Sequence, residues 1–339
     1  MFRYLLAFML ISFSAFAEVP KEWIEKSKRE PQLKISAAWS SNKVWPNIQK
    51  EFQKKYPWIT IKYDRSNSRR IQKNLVAIQI NNNYPLHLFS SASGYLDNML
   101  ASGHLESLND LPSYKNVMSE AKGVKNSWVG YRINLHCMIY NINKISKSDL
   151  PISYLDLPKT KKLHNKNLAV GRQSHFYVPL LDIMDKKSVV EYMNSVLSIN
   201  PQLRKESITL RANLLGLGEY HAAFSFPLYY VKEIKSKGTP IEAHCFDVIP
   251  ATFSPIAIIK NNPSLYSSKI FVNWLLSEEG QEILWKYDNG TPVIKKMFNE
   301  SHIALGEETR GKKIVIRSFE TYNEDQKFIE KTWNRKLFK

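Results

Sequence analysis

Cysteine is scarce in this sequence, since Cys137 and Cys245 are the only two among 339 residues. A structural zinc site needs four ligands and no Cys-x-x-Cys pair occurs, so these residues are not expected to hold a metal ion. Two cysteines are compatible with one disulfide in an oxidising compartment. Each also lies in an apolar, strand-like stretch, where a buried free thiol is common. The sequence leaves both states open.

The signatures of several enzyme classes are absent as well. The chain has no GxSxG nucleophile motif, no P-loop, no GxGxxG sequence that opens a helix after a strand, and no HExxH pair among its eight histidines. We therefore expect no catalytic residue and no bound cofactor. An exported hydrolase is the less favoured alternative.

Acidic residues are few: 31 Asp and Glu stand against 48 Lys and Arg, which gives a formal net charge of +17. Such a surplus suggests nucleic acid, an acidic membrane surface or an anionic ligand as a partner. The chain has no recognised nucleic-acid-binding motif, so we expect no nucleic acid partner. Basic residues are also spread along the chain, as in 159–162 and 232–237, which favours a solvated basic surface over one dedicated anion patch.

Apolar runs long enough to span a membrane are also lacking. Residues 5–13 form an apolar run that is too short for a hydrocarbon core of about 30 Å. The run follows Arg3 and precedes an Ala-x-Ala site that ends at Ala17, which is the order typical of a secretory signal peptide. We expect residues 1–17 to be removed by cleavage after Ala17, and the remaining chain to work in the periplasm without being embedded in the membrane.

The rest of the sequence has enough apolar side chains for large cores, with 43% hydrophobic and 12% aromatic residues. Strand-like and helix-like patterns alternate over 33–103 and again from about Trp128 onward, which predicts an α/β fold with parallel strands. The length suggests two lobes, and the lack of a linker indicates several chain crossings between them. Residues 18–32 are polar and are expected to be an N-terminal tail.

Several segments resemble one protein family. They are GEYHAA at 218–223, FPLYY at 226–230, FVNWLLSEEGQ at 271–281, and WVG at 128–130 followed by MIYN at 138–141. In this order they resemble the extracellular solute-binding proteins of ABC importers, in particular the branch that includes ferric-iron-binding proteins. The resemblance covers most of residues 33–290, and residues 297–339 match no part of it.

The resemblance implies a two-lobed periplasmic binding protein fold of type II, an α/β fold in which mixed or parallel sheets are flanked by helices and a hinge joins the lobes. Lobe 1 would comprise residues 31–128 and 248–288, lobe 2 would comprise 129–247, and the C-terminal segment 289–339 would pack on lobe 2. A ligand bound between the lobes would favour their closure. The permease of an ABC importer would then recognise the closed monomer. A ligand sensor for a membrane receptor is the alternative.

Candidate ligand-binding residues lie where predicted strands end and helices begin, because α/β sheets bind ligands at such positions. Hydroxyls and free backbone N–H groups there can cradle an anion, and arginine binds carboxylate or phosphate through two N–H donors. Serine and asparagine are also ordinary helix caps, and an arginine can equally be paired within the protein. The candidates in lobe 1 are Trp39, Ser40, Ser41, Arg65, Ser66, Asn67 and Ser91, and those in lobe 2 are Arg132, Arg172, Ser174 and Tyr229.

Two kinds of transported ligand are considered. In the ferric branch two adjacent tyrosines of this region bind iron. Counting from Gly218 places these positions at Leu228 and Tyr229, so Tyr230 matches only after a shift of one residue. Leucine cannot bind iron. We therefore favour a small organic anion, such as a carboxylate, phosphonate or sugar phosphate, over Fe³⁺ held by Tyr229 and Tyr230.

Overall fold

The computed structural model describes residues 18–39, 43–65, 68–81, 83–91, 93–171, 177–304, 308–316 and 319–334. The predicted signal peptide, residues 1–17, lies outside these ranges. Across the described ranges, no helix combines the length and the apolar character that crossing a membrane requires.

Strands and helices alternate along the described chain, as the sequence pattern predicted. The strands are β1 (Leu33–Ala37), β2 (Ile61–Arg65), β3 (Leu88–Phe89), β4 (Val129–Asn141), β5 (Leu168–Gly171), β6 (Gln202–Arg204), β7 (Ala222–Pro227), β8 (Ile241–His244), β9 (Val248–Ile258) and β10 (Lys313–Ile316). The α-helices are α1 (Lys21–Ser27), α2 (Trp45–Lys55), α3 (Ser68–Asn81), α4 (Ser93–Ala101), α5 (Lys186–Ser198), α6 (Ile208–Gly216), α7 (Leu228–Lys235), α8 (Leu265–Leu275), α9 (Glu278–Asp288), α10 (Lys295–Ala304) and α11 (Phe319–Ile329).

The strands form one mixed sheet in the order β2-β1-β3-β9-β4-β7-β5-β6, with β10 paired to β9 and β8 paired to β4. Strands β1, β2 and β3 are parallel to one another, and so are β5, β6 and β7. Between these two parallel groups run β4 and β9, which are long and antiparallel. The mixed α/β architecture with helices flanking the sheet is therefore confirmed.

Strand β4 joins the two halves of the sheet. Its first part, Val129–Leu135, pairs with β9, and its second part, from His136 to Asn141, pairs with β7 and β8. The buried apolar side chains divide at the same place, since Cys137 belongs to one hydrophobic cluster and Met138 to another. The bounds of the two lobes themselves stay a prediction.

The first hydrophobic cluster contains the helix whose sequence FVNWLLSEEGQ carries much of the resemblance. Phe271 and Trp274 on α8 meet Phe52 of α2, with ring centroids 5.0 and 5.3 Å from that of Phe52. Ser277 caps α9 by accepting a hydrogen bond from the Gly280 N–H at 3.2 Å. A side chain at Gly280 would collide with the Trp274 carbonyl. The glycine thus allows α9 to begin close against the end of α8.

The expectation that residues 18–32 form a tail is wrong. They contain α1, whose Trp23 is buried. The carboxylate of Glu30 then accepts hydrogen bonds from the backbone N–H groups of Tyr266 and Ser267 at 2.9 and 2.7 Å. These donors have no partner within the first turn of α8, so a carboxylate satisfies them and favours the positive end of the helix. The polar composition of residues 18–32 gives no sign that Glu30 caps a helix far along the chain.

The C-terminal segment adds a strand and a helix. Strand β10 pairs in parallel with the beginning of β9. On α11, Ile329 is buried in the second hydrophobic cluster and Asp325 forms an ion pair with Lys186 at 3.6 Å. Helix α11 also contacts α4. The assignment of residues 289–339 to lobe 2 stays a prediction.

Cys137 on β4 and Cys245, in the turn between β8 and β9, form a disulfide with a Cα–Cα distance of 4.4 Å. The structure thus decides a question that the sequence left open. The turn that contains Cys245 also divides the stretch 241–249, which reads in the sequence as one strand, into the end of β8 and the start of β9.

Acid is expected to destabilise the fold through His87. This side chain is buried, its Nδ1 accepts a hydrogen bond from the Lys34 N–H at 3.2 Å, and burial lowers its pKa from 6.5 to about 4. Between pH 6.5 and 4 the unfolded chain binds a proton that the folded chain does not, so stability rises with pH across that window. The contribution amounts to about 3 kcal/mol between pH 7 and pH 4.

Urea unfolding at pH 7 and pH 4 measures this effect. The variant His87→Gln, which keeps an acceptor for Lys34 but does not titrate, should lose about 3 kcal/mol less than the natural chain over the same change. An equal loss in both proteins would show that His87 is not the group responsible.

Candidate functional site

The carboxyl ends of the two parallel strand groups face each other across the middle of β4. Phe89, at the end of β3, pairs with Ala257 of β9, which lies level with Val129 at the start of β4. Pro227, at the end of β7, pairs with His136 farther along β4. Residues 130–135 of β4 therefore lie between two opposed sets of strand ends, and α/β sheets bind ligands at such ends.

Polar side chains alternate along this middle part of β4 at positions 132, 134 and 136. The Nε of Arg132 and the Nδ2 of Asn134 both donate to the Oγ of Ser254 on β9, each at 3.0 Å. The Nε2 of His136 lies 2.9 Å from the Oγ1 of Thr252. These pairs form a polar strip at the junction of the two sheet halves, while Ile133 and Leu135 between them are buried in the first hydrophobic cluster.

Arg132 is the buried cation of this strip. It forms an ion pair with Asp288 at the end of α9, and both side chains are nearly inaccessible, at 5% and 7% exposure. Burial opposes the charged form of Arg132, but Asp288 and the neighbouring tyrosines raise its pKa above the ordinary value, so the guanidinium stays charged. Burial raises the pKa of the Asp288 carboxyl, and Arg132 opposes that rise.

Helix α9 is tied to β4 by Gln281, which explains how Asp288 reaches Arg132. The buried Nε2 of Gln281 donates to the carbonyl of Tyr131 at 3.0 Å, and its Oε1 accepts from the Val293 N–H at 2.8 Å. Gln281 is the last residue of the FVNWLLSEEGQ segment. The FVNWLLSEEGQ segment, which carries the family resemblance, therefore positions Asp288 beside Arg132.

Tyr229 lies against Arg132. The Cζ atom of Arg132 is 4.0 Å from the centre of the Tyr229 ring, a geometry in which the cation is attracted to the face of the ring. Tyr229 and Tyr230 are half-buried in the first turn of α7, with ring centroids 6.4 Å apart, and Leu228 before them is buried. The structure thus brings two predicted residues, Arg132 and Tyr229, into contact.

Arg65 and Tyr230 belong to opposite halves of the molecule and interact through charge. Arg65 is exposed at the end of β2, and Tyr230 belongs to α7. Burial raises the pKa of Tyr230, whereas a hydrogen bond from Thr209 and the nearby charge of Arg65 lower it. The charge of the predicted residue Arg65 therefore acts on Tyr230.

An aromatic group supports the strand ends of the first half. Trp45 stacks on Tyr63 with a centroid distance of 4.2 Å, and Trp39 meets Tyr131 edge to face at 5.1 Å. The Tyr63 hydroxyl lies 2.9 and 2.6 Å from the carbonyls of Ala37 and Trp39. Trp39, predicted as a ligand contact, is buried in this group.

Two predicted residues carry buried polar atoms that have no hydrogen-bond partner among the described residues, namely the Nε1 of Trp39 and the Oγ of Ser91. Buried polar atoms in native proteins are normally hydrogen-bonded to protein, water or ligand. Six further candidates lie outside the described residues, so the structure does not place them: Ser40, Ser41, Ser66, Asn67, Arg172 and Ser174.

The sequence reasoning missed Asp288, Ser254, Asn134, Tyr63 and Tyr131. One signal was available, because Arg132, Asn134 and His136 alternate with apolar residues, as the side chains on one face of a strand do. No local signal marks Asp288 or Ser254, which reach the site from distant parts of the chain. In the part of the chain that the structure describes, no three His, Cys, Asp or Glu side chains come close enough to hold a metal ion.

Two opposed sets of strand ends joined by long crossing strands define a two-lobed binding protein of the periplasmic type. The family model described as "Bacterial extracellular solute-binding protein" matches residues 47–307. The chain belongs to this family, as the sequence motifs indicated. The members of this family bind solutes and are not classed as enzymes.

Solved structures of the same fold cover almost the whole chain. The iron-bound HitA from Pseudomonas aeruginosa is 17% identical, with a TM-score of 0.68 over 89% of this chain and all of HitA. AfuA from Actinobacillus pleuropneumoniae, solved with fructose-6-phosphate, is 20% identical, with a TM-score of 0.70 over 90% of this chain and 98% of AfuA. Ferric iron-binding protein A from Mannheimia haemolytica, in an open conformation, is 13% identical, with a TM-score of 0.67 over 89% and 98% of the two chains.

Among curated sequences, an uncharacterised protein of Haemophilus influenzae is 24% identical over 160 residues. The match covers 45% of this chain and 44% of that protein, so it spans less than half of either.

Proposed function

We propose that this protein is the periplasmic solute-binding component of an ABC importer and that it captures a small organic anion between two lobes. The observation that carries the proposal is the convergence of opposed strand ends on the middle of β4, where Arg132 of β4 meets Tyr229 of α7. The lobes would comprise residues 31–128 with 248–288, and residues 129–247. The crossing strands β4 and β9 would serve as the hinge.

The charged side chains around the candidate site favour an anion as the ligand. Arg65 supplies positive charge from the end of β2, and Arg132 supplies a guanidinium from β4 whose charge is balanced by Asp288. Asp64, next to Arg65 in the chain, accepts from Arg70 at 2.7 Å, Asp288 accepts from Arg132, and Glu233 is paired with Lys237 at 3.0 Å. A cationic solute would find no unpaired carboxylate among these side chains. AfuA, which shares the fold, binds fructose-6-phosphate, and a sugar phosphate belongs to the class proposed.

Ferric iron is the second candidate, because Tyr229 and Tyr230 are adjacent and half-buried, and HitA binds iron. The guanidinium of Arg132 already lies on the ring of Tyr229. Burial also raises the pKa of Tyr230, which disfavours the tyrosinate that iron requires. These two features support the anion over Fe³⁺. In either case the ligand is transported cargo, not a resident cofactor.

The cellular setting follows from the same proposal. The signal peptide would be removed after Ala17, and the mature monomer would deliver its ligand to an importer permease in the inner membrane. It would act by binding alone, without catalysis. A sensor that docks on a membrane receptor would use the same cleft, so the two roles differ only in the membrane partner.

Calorimetry with the mature chain tests the ligand class. The panel contains sugar phosphates, alkylphosphonates and small di- and tricarboxylates, with chelated Fe³⁺ titrated in parallel while the visible spectrum is recorded. We expect an anion of the panel to bind, and Arg65→Ala to weaken it about tenfold or more, because a charge-assisted hydrogen bond is lost. Arg29→Ala, which removes an exposed arginine next to α1, should leave the affinity unchanged.

A tyrosinate-to-iron absorption band that disappears in Tyr229→Phe, together with no binding of any organic anion, would replace the proposed anion with iron. Equal weakening by Arg65→Ala and Arg29→Ala would remove Arg65 from the site.

A further inference from the structure

A buried arginine without a charged partner lies in the second half of the molecule. Arg211 on α6 has 0% exposure, and among the described residues no carboxylate or carbonyl oxygen accepts a hydrogen bond from its Nε, Nη1 or Nη2 atoms. No ion pair forms between Arg211 and any carboxylate of the described residues. The acidic side chain nearest along the chain, Glu206, is paired with Arg204 at 3.0 Å.

The guanidinium of Arg211 is packed between an aromatic ring and a strand end, and neither of these supplies a negative charge. Its Cζ atom lies 4.9 Å from the ring centre of Phe226 at the end of β7. On another side it packs against Gly171, the last residue of β5, where any larger side chain would collide with it. The Tyr177 hydroxyl next to it is bound to the backbone of Gly171, at 3.0 Å from the nitrogen and 2.9 Å from the oxygen.

Arg211 lies on the side of the β5, β6 and β7 half of the sheet that faces the candidate site in the middle of β4. Gly171 and Phe226 lie at the carboxyl ends of β5 and β7, the ends that face the middle of β4. Helix α6 begins at the same side, because it follows the carboxyl end of β6, which is parallel to β5. Thr209 in its first turn lies beside Tyr230 of the candidate site. Arg211 is thus near the start of a helix that opens toward the cleft.

An unpaired buried guanidinium is energetically costly, because it has lost its hydration and gained no counter-charge. A ligand that supplies the missing charge would remove this cost. The N-terminus of an α-helix adds a partial positive charge and N–H groups, and in α6 the N–H groups of Ile208 and Thr209 precede the Leu210 N–H that Ser207 caps. Both features suit a phosphate, whose oxygens match the fork of N–H donors that a guanidinium presents.

We propose that Arg211 and the N-terminus of α6 form a subsite for a phosphoryl group, so that the solute is a phosphate ester or phosphate itself. The subsite rests on the proposed solute-binding function and narrows its ligand class. Arg211 contacts the phosphoryl oxygens, and the missing side chain at Gly171 leaves room for its guanidinium beside the strand end.

Inorganic phosphate is the first probe, and a sugar phosphate is the second. Thermal unfolding and calorimetry of the mature chain should show stabilisation by at least one of them, and Arg211→Met should weaken that binding about tenfold or more. Without any anion, Arg211→Met should be at least as stable as the natural chain, because methionine removes an unpaired charge at similar volume. A purely structural arginine would give the opposite result. Arg29→Met controls for the change in net charge.

Arg211→Lys provides a second variant that keeps the charge but not the fork of donors. It should fold and bind the phosphate probe more weakly than the natural chain does. Unchanged affinity in Arg211→Met or Arg211→Lys would overturn the subsite. If the natural chain binds a carboxylate of the panel and neither phosphate probe, the subsite is wrong and the solute-binding function stands. Binding of inorganic phosphate through Arg211 without binding of any organic anion would support the subsite and contradict the organic solute.

Discussion

Removal of the disulfide, by replacing Cys137 and Cys245 together with alanine, is expected to lower the free energy of unfolding by about 4 kcal/mol. The bond links residues separated by 108 positions in the chain. Closing so long a loop removes much conformational freedom from the unfolded chain, and this freedom returns when the bond is lost. Both sulfurs are buried, so alanine also removes some packing.

Urea unfolding followed by circular dichroism measures this loss. The natural chain unfolded in the presence of a strong reductant is the matched control, because it loses the same bond without any substitution. The two losses should agree to within about 1 kcal/mol, the remainder being the packing of the sulfur atoms. A double variant as stable as the oxidised natural chain would show that the bond contributes nothing to the fold.

Replacing Arg132 with methionine is expected to destabilise the protein by about 3–5 kcal/mol at pH 7. The substitution leaves the carboxylate of Asp288 buried at 7% exposure without its ion-pair partner. It also removes the hydrogen bond to Ser254 and the contact with the Tyr229 ring. The cost arises mainly from the stranded charge rather than from the loss of an attractive pair.

A double variant separates these contributions. Arg132→Met with Asp288→Leu removes both charges, and it should recover most of the stability because no buried charge remains. If the double variant is as unstable as Arg132→Met alone, the ion pair is not the reason for the loss.

The pH dependence of Arg132→Met gives an independent check. Without Arg132, burial raises the pKa of the Asp288 carboxyl in the folded protein, and the protonated form is favoured. An acid whose pKa is raised on folding loses stability as pH rises above its unfolded value, so the variant should be destabilised less at pH 5 than at pH 7. Comparison with Arg132→Met/Asp288→Leu at both values isolates the effect of Asp288.

Much of the fold could be predicted because secondary structure follows local periodicity. The spacing of Ile48 and Phe52 places one face of α2 in the core, and both are fully buried. The alternation of strands and helices also predicted the α/β class. The same reasoning failed at residues 18–32, where α1 is anchored by Glu30 to a helix more than two hundred residues away.

The candidate site could be predicted from the sequence only in part. Arg132, Tyr229 and Arg65 could be named because each stands next to a predicted strand end or in a segment that resembles a family motif. Their partners could not, since Asp288 is 156 residues from Arg132 and Ser254 is 122 residues away. Nothing in the surrounding sequence distinguishes these side chains from ordinary surface residues.

The sequence by itself determined most of the elements, the family and the alternation of strands and helices, because these depend on neighbouring residues along the chain. The tertiary structure decided the disulfide, the pairing of Arg132 with Asp288 and the burial of Arg211. Arg211 shows the reason most clearly. In the sequence, Arg211 cannot be distinguished from the many exposed basic residues of the chain. Only the packing of α6 against Gly171 and Phe226 removes it from water. Burial and charge pairing are properties of contacts between distant segments, which local patterns do not report.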